Sequence, residues 1–198
     1  MKKMGIPEGK MDELYTYSDY REWPDEERWE LIEGVPYDMS PAPSRFHQDL
    51  LMIVSSNIFT FLKGKKCKVY AAPFDVLFPD DPAQEEEEIQ NVVQPDISVI
   101  CDRNKLTEKG CTGAPDLIVE ILSPSTGKKD MDQKFHLYER HGVREYWIVD
   151  PGNRFVQIFS LREDGTYDTG ELFVAGSSLN SRVLKDLTLS WEELFLTD

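Results

Sequence analysis

Apolar residues recur at helical spacing through Phe46, Leu50, Leu51, Ile53, Val54, Ile58, Phe61 and Leu62. Ser44 stands where an N-cap belongs and Gly64 where the helix should stop. Beyond Gly64 the period shortens to two. Residues 68–78 alternate and are rich in Val, Tyr and Phe, residues 92–101 carry the strand pattern QPDISVI, and residues 117–122 form a third apolar run. Ser125 or Thr126 caps a helix that runs to about Arg140, with Gly142 after it. EYWIV (145–149) is a strand that ends at the turn DPGN, and residues 155–161 and 167–174 read as a hairpin around EDG. A last short helix starts at Ser190. Ahead of the long helix, Ser18 is placed to cap a short one. Pro24 opens a second turn or helix in which Trp29, Leu31 and Ile32 lead to Gly34, and residues 35–39 form a short strand ended by SPAPS.

This order predicts an α/β fold: a mixed central sheet flanked by helices, with a C-terminal β-hairpin. A helix between the strands at 117 and 145 fits a crossover to a parallel neighbour. The 198 residues suffice for one domain, expected over 14–198 behind a flexible lead-in at 1–13. No apolar run is long enough to predict a membrane span, and the N-terminus has lysines but no apolar core of a signal peptide. Three cysteines, Cys67, Cys101 and Cys111, with no CxxC pair, argue against a disulfide framework or zinc ribbon and fit a reducing cytoplasm.

The net charge of −15 argues against a protein that grips nucleic acid through a broad basic surface. A local patch remains available in Arg103, Lys105, Lys109, Lys128 and Lys129. PDDPAQEEEEI (79–89) holds six acids and no base, and reads as a solvated, mobile hairpin tip.

Inside the run PDLIVEIL, Leu117, Val119 and Ile121 point to one face and Ile118, Glu120 and Leu122 to the other. Both faces are apolar except for Glu120, so its carboxylate must be paired, hydrogen-bonded, protonated or metal-bound. Asp96 opens the strand in QPDISVI. If the two strands are neighbours, the two acids converge, and a hard divalent cation would resolve their repulsion. The plainer alternatives are a turn role for Asp96 and an internal ion pair for Glu120. Asp116, after Pro115, reads as a solvated turn residue. Asp130, Lys134 and Tyr138 form one helical stripe: either a surface stripe, or one that carries Lys134 to Glu120. Glu30, Glu33 and His47 are further candidates, Glu33 from a helix end and His47 as a hydrogen-bonded structural residue.

WELIEGVPYDMSPAPSRFH, QPDISVI, GAPDLIVEILSPST, the Asp130–Lys134–Tyr138 stripe and GVREYWIVDP together resemble the Uma2 family, also called DUF820, over about residues 14–196. That family is similar to the PD-(D/E)XK nuclease superfamily, with a restriction-endonuclease-like mixed central sheet. The resemblance implies that Asp96 and Glu120, with the Ile121 carbonyl, hold Mg²⁺ or Mn²⁺, and that the protein hydrolyses DNA phosphodiester bonds as an endonuclease. Leu122 departs from the pattern, because it stands where the superfamily keeps its lysine. Lys134 is the substitute the resemblance implies, and Glu33 would match an acid supplied by the first core helix. DNA is the implied partner, and a homodimer would set two basic loops across one duplex. The alternative is a catalytically inactive nuclease-like fold that serves as a binding or regulatory module, with its acids in internal ion pairs.

Overall fold

The structure, a computed structural model, describes residues 14–24, 28–39, 43–123 and 129–195, with the backbone alone for 129–131. The lead-in at 1–13, the first three residues of the SPAPS stop (40–42), the caps at Ser125 or Thr126 and the side chain of Asp130 lie outside the described residues. In chain order the elements begin with α1 (Tyr17–Tyr20), β1 (Trp29–Ile32), β2 (Val35–Asp38), α2 (Arg45–Leu62), β3 (Lys68–Ala71) and β4 (Asp75–Leu77). Strands β5 (Val92–Val93), β6 (Ile97–Ile100), β7 (Gly110–Thr112) and β8 (Leu117–Ile121) follow, then α3 (Lys129–His141) and β9 (Glu145–Asp150). The chain closes with β10 (Phe155–Ser160), β11 (Glu171–Phe173), β12 (Ser178–Asn180), β13 (Thr188–Ser190) and α4 (Trp191–Phe195).

The central sheet has six strands in the order β11-β10-β9-β8-β6-β3. β8 and β9 are parallel and joined by α3, as the crossover predicted, and the other neighbours in that sheet are antiparallel. Alternation along β8 divides the core. Leu117, Val119 and Ile121 pack with α2 and α4, among them Leu50, Val54, Ile58 and Leu194. Ile118 and Leu122 pack on the opposite side with Leu137 and Tyr138 of α3. Both faces of β8 are therefore covered, which is why the run carries almost no polar residue.

A second sheet of five strands, β2-β1-β5-β4-β7, lies against that second side and was not foreseen. It exists because two segments that read as single strands each break. Pro73 interrupts 68–78, so β3 pairs in the central sheet and β4 in the second. Pro95 does the same between β5 and β6. Proline cannot donate to a ladder, so each break falls where the chain passes from one sheet to the other. The tip at 79–89 is more ordered than the charge run suggested: Glu86–Glu88 form a 3₁₀ turn, and Ile89 is fully buried with Tyr17, Leu31, Leu77 and Val92.

Residues 29–32 are a strand, not the helix or turn expected. Ile32 pairs with Val35, which leaves Glu33 and Gly34 as a two-residue hairpin turn with φ of 53° and 73°. Such turns need positive φ at both positions, and glycine supplies it without strain. In α1 the N-cap is Thr16 rather than Ser18, and the Thr16 N–H donates to the Asp19 carboxylate at 2.8 Å. Ser44 caps α2 as expected, its hydroxyl accepting from the His47 N–H at 3.2 Å.

The cysteine expectation is corrected. Cys67 and Cys101 form a disulfide, and Cys111 is buried and unpaired. The register Lys68↔Ile100 brings the two residues just outside β3 and β6 opposite each other. Sequence spacing carried no sign of that pairing. Among the described residues, no helix is long and apolar enough to cross a membrane.

Candidate active site

The antiparallel pairing of β6 with β8 sets Ile97 against Val119. Continued by one residue, that register sets Asp96 opposite Glu120, where side chains of an antiparallel pair share a face. Asp96 Oδ2 accepts the Ile121 N–H at 2.7 Å and lies 3.3 Å from His47 Nε2. His47 comes from the first turn of α2, so the capped start of that helix fixes it beside the strand. The convergence expected of Asp96 and Glu120 is therefore present.

Lys134 and Tyr138, one turn apart on α3, both reach Glu120. Lys134 Nζ is 3.0 Å from Glu120 Oε1, and the Tyr138 hydroxyl donates to the same oxygen at 2.7 Å. Lys134 and Tyr138 of the stripe thus face the sheet and not the solvent. Leu122 lines the pocket, and the lysine beside Glu120 comes from the helix.

Glu30, not Glu33, completes the cluster. Lys134 Nζ is 2.8 Å from Glu30 Oε1, an oxygen that also accepts the Gln94 N–H at 2.9 Å. Glu33 sits in the hairpin turn with a 68% exposed side chain and pairs with Arg140 on the surface at 2.9 Å. A helical period would have left both acids available to one site. The strand period buries Glu30 and leaves the turn residue outside. Asp116 also differs from its reading: it is a half-buried brace that accepts the Cys101 N–H at 2.8 Å and pairs with Arg144.

Burial and charge set the protonation of this cluster. Side-chain exposure is 10% for Lys134 and 12% for Glu120. Burial pushes the Glu120 carboxyl up to about 7, against the pull of Lys134, and Asp96 and Glu30 push the same way. Burial alone would lower Lys134, but Glu120 and Glu30 outweigh it and hold the ammonium charged far above neutral pH. Burial likewise opposes protonation of His47. The Asp96 hydrogen bond and charge, with Glu120 and the Ile121 backbone, leave its pKa raised.

The pocket measures about 130 Å³, and its lining includes Arg28, Asp38, Glu30, Asp96, Glu120, His47 and Lys134. Four carboxylates face two permanent cations and one histidine, and the upward shifts of Glu120 and His47 reduce the negative charge that the carboxylates bring. Two buried polar atoms of lining residues, His47 Nδ1 and the Tyr146 hydroxyl, have no hydrogen-bond partner among the described residues. An unpartnered buried polar atom costs about 1–3 kcal/mol, so the pocket suits a polar occupant. No three His, Cys, Asp or Glu side chains among the described residues are grouped to hold a metal. Mg²⁺ does not require three, because it is held by one or two carboxylates and keeps several waters. Asp96 and Glu120 each use one oxygen in the hydrogen bonds described above, which suits a hydrated ion of that kind.

The family model of Uma2, described as "Putative restriction endonuclease", matches residues 17–192. The chain belongs to the Uma2 family. An uncharacterized protein of Synechocystis, slr1290, is 26% identical over 152 residues, which cover 75% of this chain and 75% of that protein. A solved structure from Anabaena variabilis, described as a "putative nuclease belonging to DUF820", superposes with a TM-score of 0.73 at 22% identity. It covers 91% of this chain and 97% of its own. That likeness shows that this Uma2 chain shares the mixed α/β fold of that structure.

Proposed function

We propose that this Uma2 protein is a divalent-metal-dependent endonuclease that hydrolyses DNA phosphodiester bonds. The observation that carries the reading is the placement of Asp96 opposite Glu120 with the Lys134 ammonium 3.0 Å from Glu120. Asp96 and Glu120, with the Ile121 carbonyl, would hold Mg²⁺ or Mn²⁺, which when bound polarises a phosphate oxygen and acidifies a water. The protein's own groups supply the rest. Lys134 keeps its positive charge in a nearly dry site, where it stabilises negative charge that develops on the phosphate. Glu30 and Glu120 hold that ammonium in place and Tyr138 holds Glu120, so little reorganisation is left for the reacting complex. His47 orients Asp96, and the Ile121 N–H fixes one of its oxygens.

One observation favours the second reading, a nuclease-like binding module. Lys134 is bridged by two carboxylates, as an internal ion-pair network would be. Plasmid nicking in Mg²⁺ and in Mn²⁺ separates the two. The nuclease reading expects nicking by the wild type, reduced about 10²–10³-fold or more in Glu120→Gln and in Lys134→Gln. If the wild type cuts nothing in either metal, the binding module is the better account, and if Glu120→Gln cuts as well as the wild type, the cutting does not come from this site.

A further inference from the structure

A second cleft, about 380 Å³ in volume, lies beside the acidic pocket, and the two share Arg28 and Gln94 as lining residues. Its wall is aromatic. Trp23 is the centre, with ring centroids 5.5 Å from Tyr15, 5.6 Å from Tyr20 and 5.8 Å from Trp29. Trp23 and Tyr20 are half-buried, so each is held by its neighbours and still presents part of its ring to the cleft.

Among the described residues, cations outnumber acids in this cleft. Arg21, Arg28 and Lys109 line it and are exposed, against one lining carboxylate, Asp75, and Arg21 also pairs with Glu87 at 3.6 Å. Asp75 is occupied: it accepts from the Tyr20 hydroxyl at 3.1 Å and from Gln94 Nε2 at 2.8 Å. Gln94 Oε1 in turn accepts from Arg28 Nε at 3.1 Å and Nη2 at 2.9 Å. The Arg28 guanidinium is thereby held at the boundary of the two pockets, and a guanidinium has five donors, of which these bonds use two. Aromatic faces beside fixed cations are the chemistry that takes an unpaired base together with its phosphate. The volume suits one small organic group and is far too small for a duplex.

The geometry points to this cleft as a subsite for an unpaired nucleotide of a DNA strand, whose backbone passes Arg28 into the pocket of Asp96 and Glu120. The base stacks on Trp23 and Tyr20, and Arg28 takes the phosphate between the two sites. The preferred substrate is then single-stranded or locally opened DNA, not intact duplex, which also fits a chain too acidic to hold a duplex by its surface. The subsite assignment rests on the nuclease reading above.

The test is fluorescence anisotropy in EDTA, where no hydrolysis occurs, with a labelled oligothymidylate of about a dozen nucleotides. The same sequence as a duplex and an oligouridylate are the comparison probes. The expected result is tighter binding of the single DNA strand than of the duplex, with quenching of tryptophan fluorescence. Trp23→Ala should weaken single-strand binding about five- to 150-fold. Arg28→Gln, an exposed change that spares the core, should lower the salt slope by about 0.7. Equal binding of duplex and single strand, tighter binding of the oligouridylate, or an unchanged slope in Arg28→Gln would overturn the assignment, and Arg28→Gln decides it if Trp23→Ala does not fold. Cleavage of the labelled oligothymidylate in Mn²⁺, assayed beside plasmid nicking, keeps the two readings apart: cleavage without single-strand preference in binding sinks the subsite alone, whereas single-strand binding without cleavage of either DNA sinks the nuclease alone.

Discussion

Glu120 and Glu145 lie on the adjacent parallel strands β8 and β9, and both are acids inside an apolar sheet, yet they are held in opposite ways. Glu145 is fully buried and met by neutral donors: Trp147 Nε1 at 2.6 Å, and the backbone N–H groups of Arg182 and Val183 at 2.7 and 2.8 Å. Its oxygens tie the segment before β13 to the start of β9. Glu120 stands farther along the sheet, in the register Glu120↔Ile148 against Leu117↔Glu145. It is met by a lysine and a tyrosine, borders other carboxylates, and opens on a pocket that contains unpartnered polar atoms. A buried acid is therefore no sign of a site by itself. The sign is a carboxylate whose partners are themselves charged and whose surroundings keep residual charge and residual hydrogen-bonding capacity.

The largest effect is expected at Lys134. Lys134→Met leaves Glu30 and Glu120 buried without their cation, and should cost about 3–5 kcal/mol by urea unfolding at neutral pH. A loss below about 1 kcal/mol would mean that the lysine is not a structural counter-ion. Glu145→Ala should cost about 3 kcal/mol, because it orphans three donors at about 1–3 kcal/mol each and these losses do not add in full. This loss should be the same with and without Mn²⁺. A metal-dependent loss would make Glu145 part of the site and dissolve the contrast.

Glu120→Gln should act in the other direction. A carboxyl raised from 4.5 to about 7 binds its proton more tightly in the folded state. Its contribution to stability is fully present below about 4.5 and is lost as pH rises through about 7. Without metal, Glu120→Gln should thus be more stable than the wild type at pH 8, by about 1–2 kcal/mol once the weakened hold on Lys134 is subtracted. The gain should vanish toward pH 4. Melting curves across that range check the sign, and a variant that is less stable at pH 8 and equal at pH 4 would contradict it. The smallest effect is expected at Glu33→Ala, which removes only the exposed pair with Arg140 and should change stability by less than about 0.5 kcal/mol and leave metal binding unchanged. A loss of metal response there would restore Glu33 to the site in place of Glu30.

Much of this arrangement is legible in the chain. The alternation of 117–122 fixes which face Glu120 takes, and the spacing of Lys134 and Tyr138 places both on the face of α3 that meets it. Asp96 is marked by its position at the head of an apolar strand. What the pattern hides depends on contacts distant in sequence. Glu145 heads EYWIV without any local sign, because two of its partners are backbone N–H groups 37 and 38 residues away. Glu30 was obscured because WELIEG fits a short helix as well as a strand, and the choice decides whether 30 or 33 turns inward. The second sheet is hidden because 68–78 and 92–101 each scan as one strand, although a proline within a strand run is itself the signal of a break. Cys67 and Cys101 pair by strand register, which no spacing rule reports.

The proposed function requires that the Glu120 cluster take a divalent cation and that the Glu145 cluster take none. Thermal unfolding of the wild type, Glu120→Gln and Glu145→Gln at pH 7.5, with and without Mn²⁺, tests it most directly. At a hundredfold excess over Kd the metal should stabilise the wild type by about 2.7 kcal/mol, a rise in Tm of about 5–10 °C. Glu145→Gln should show the same rise from its own starting Tm, and Glu120→Gln should show none. An equal rise in all three proteins, or no rise in the wild type, would contradict the account.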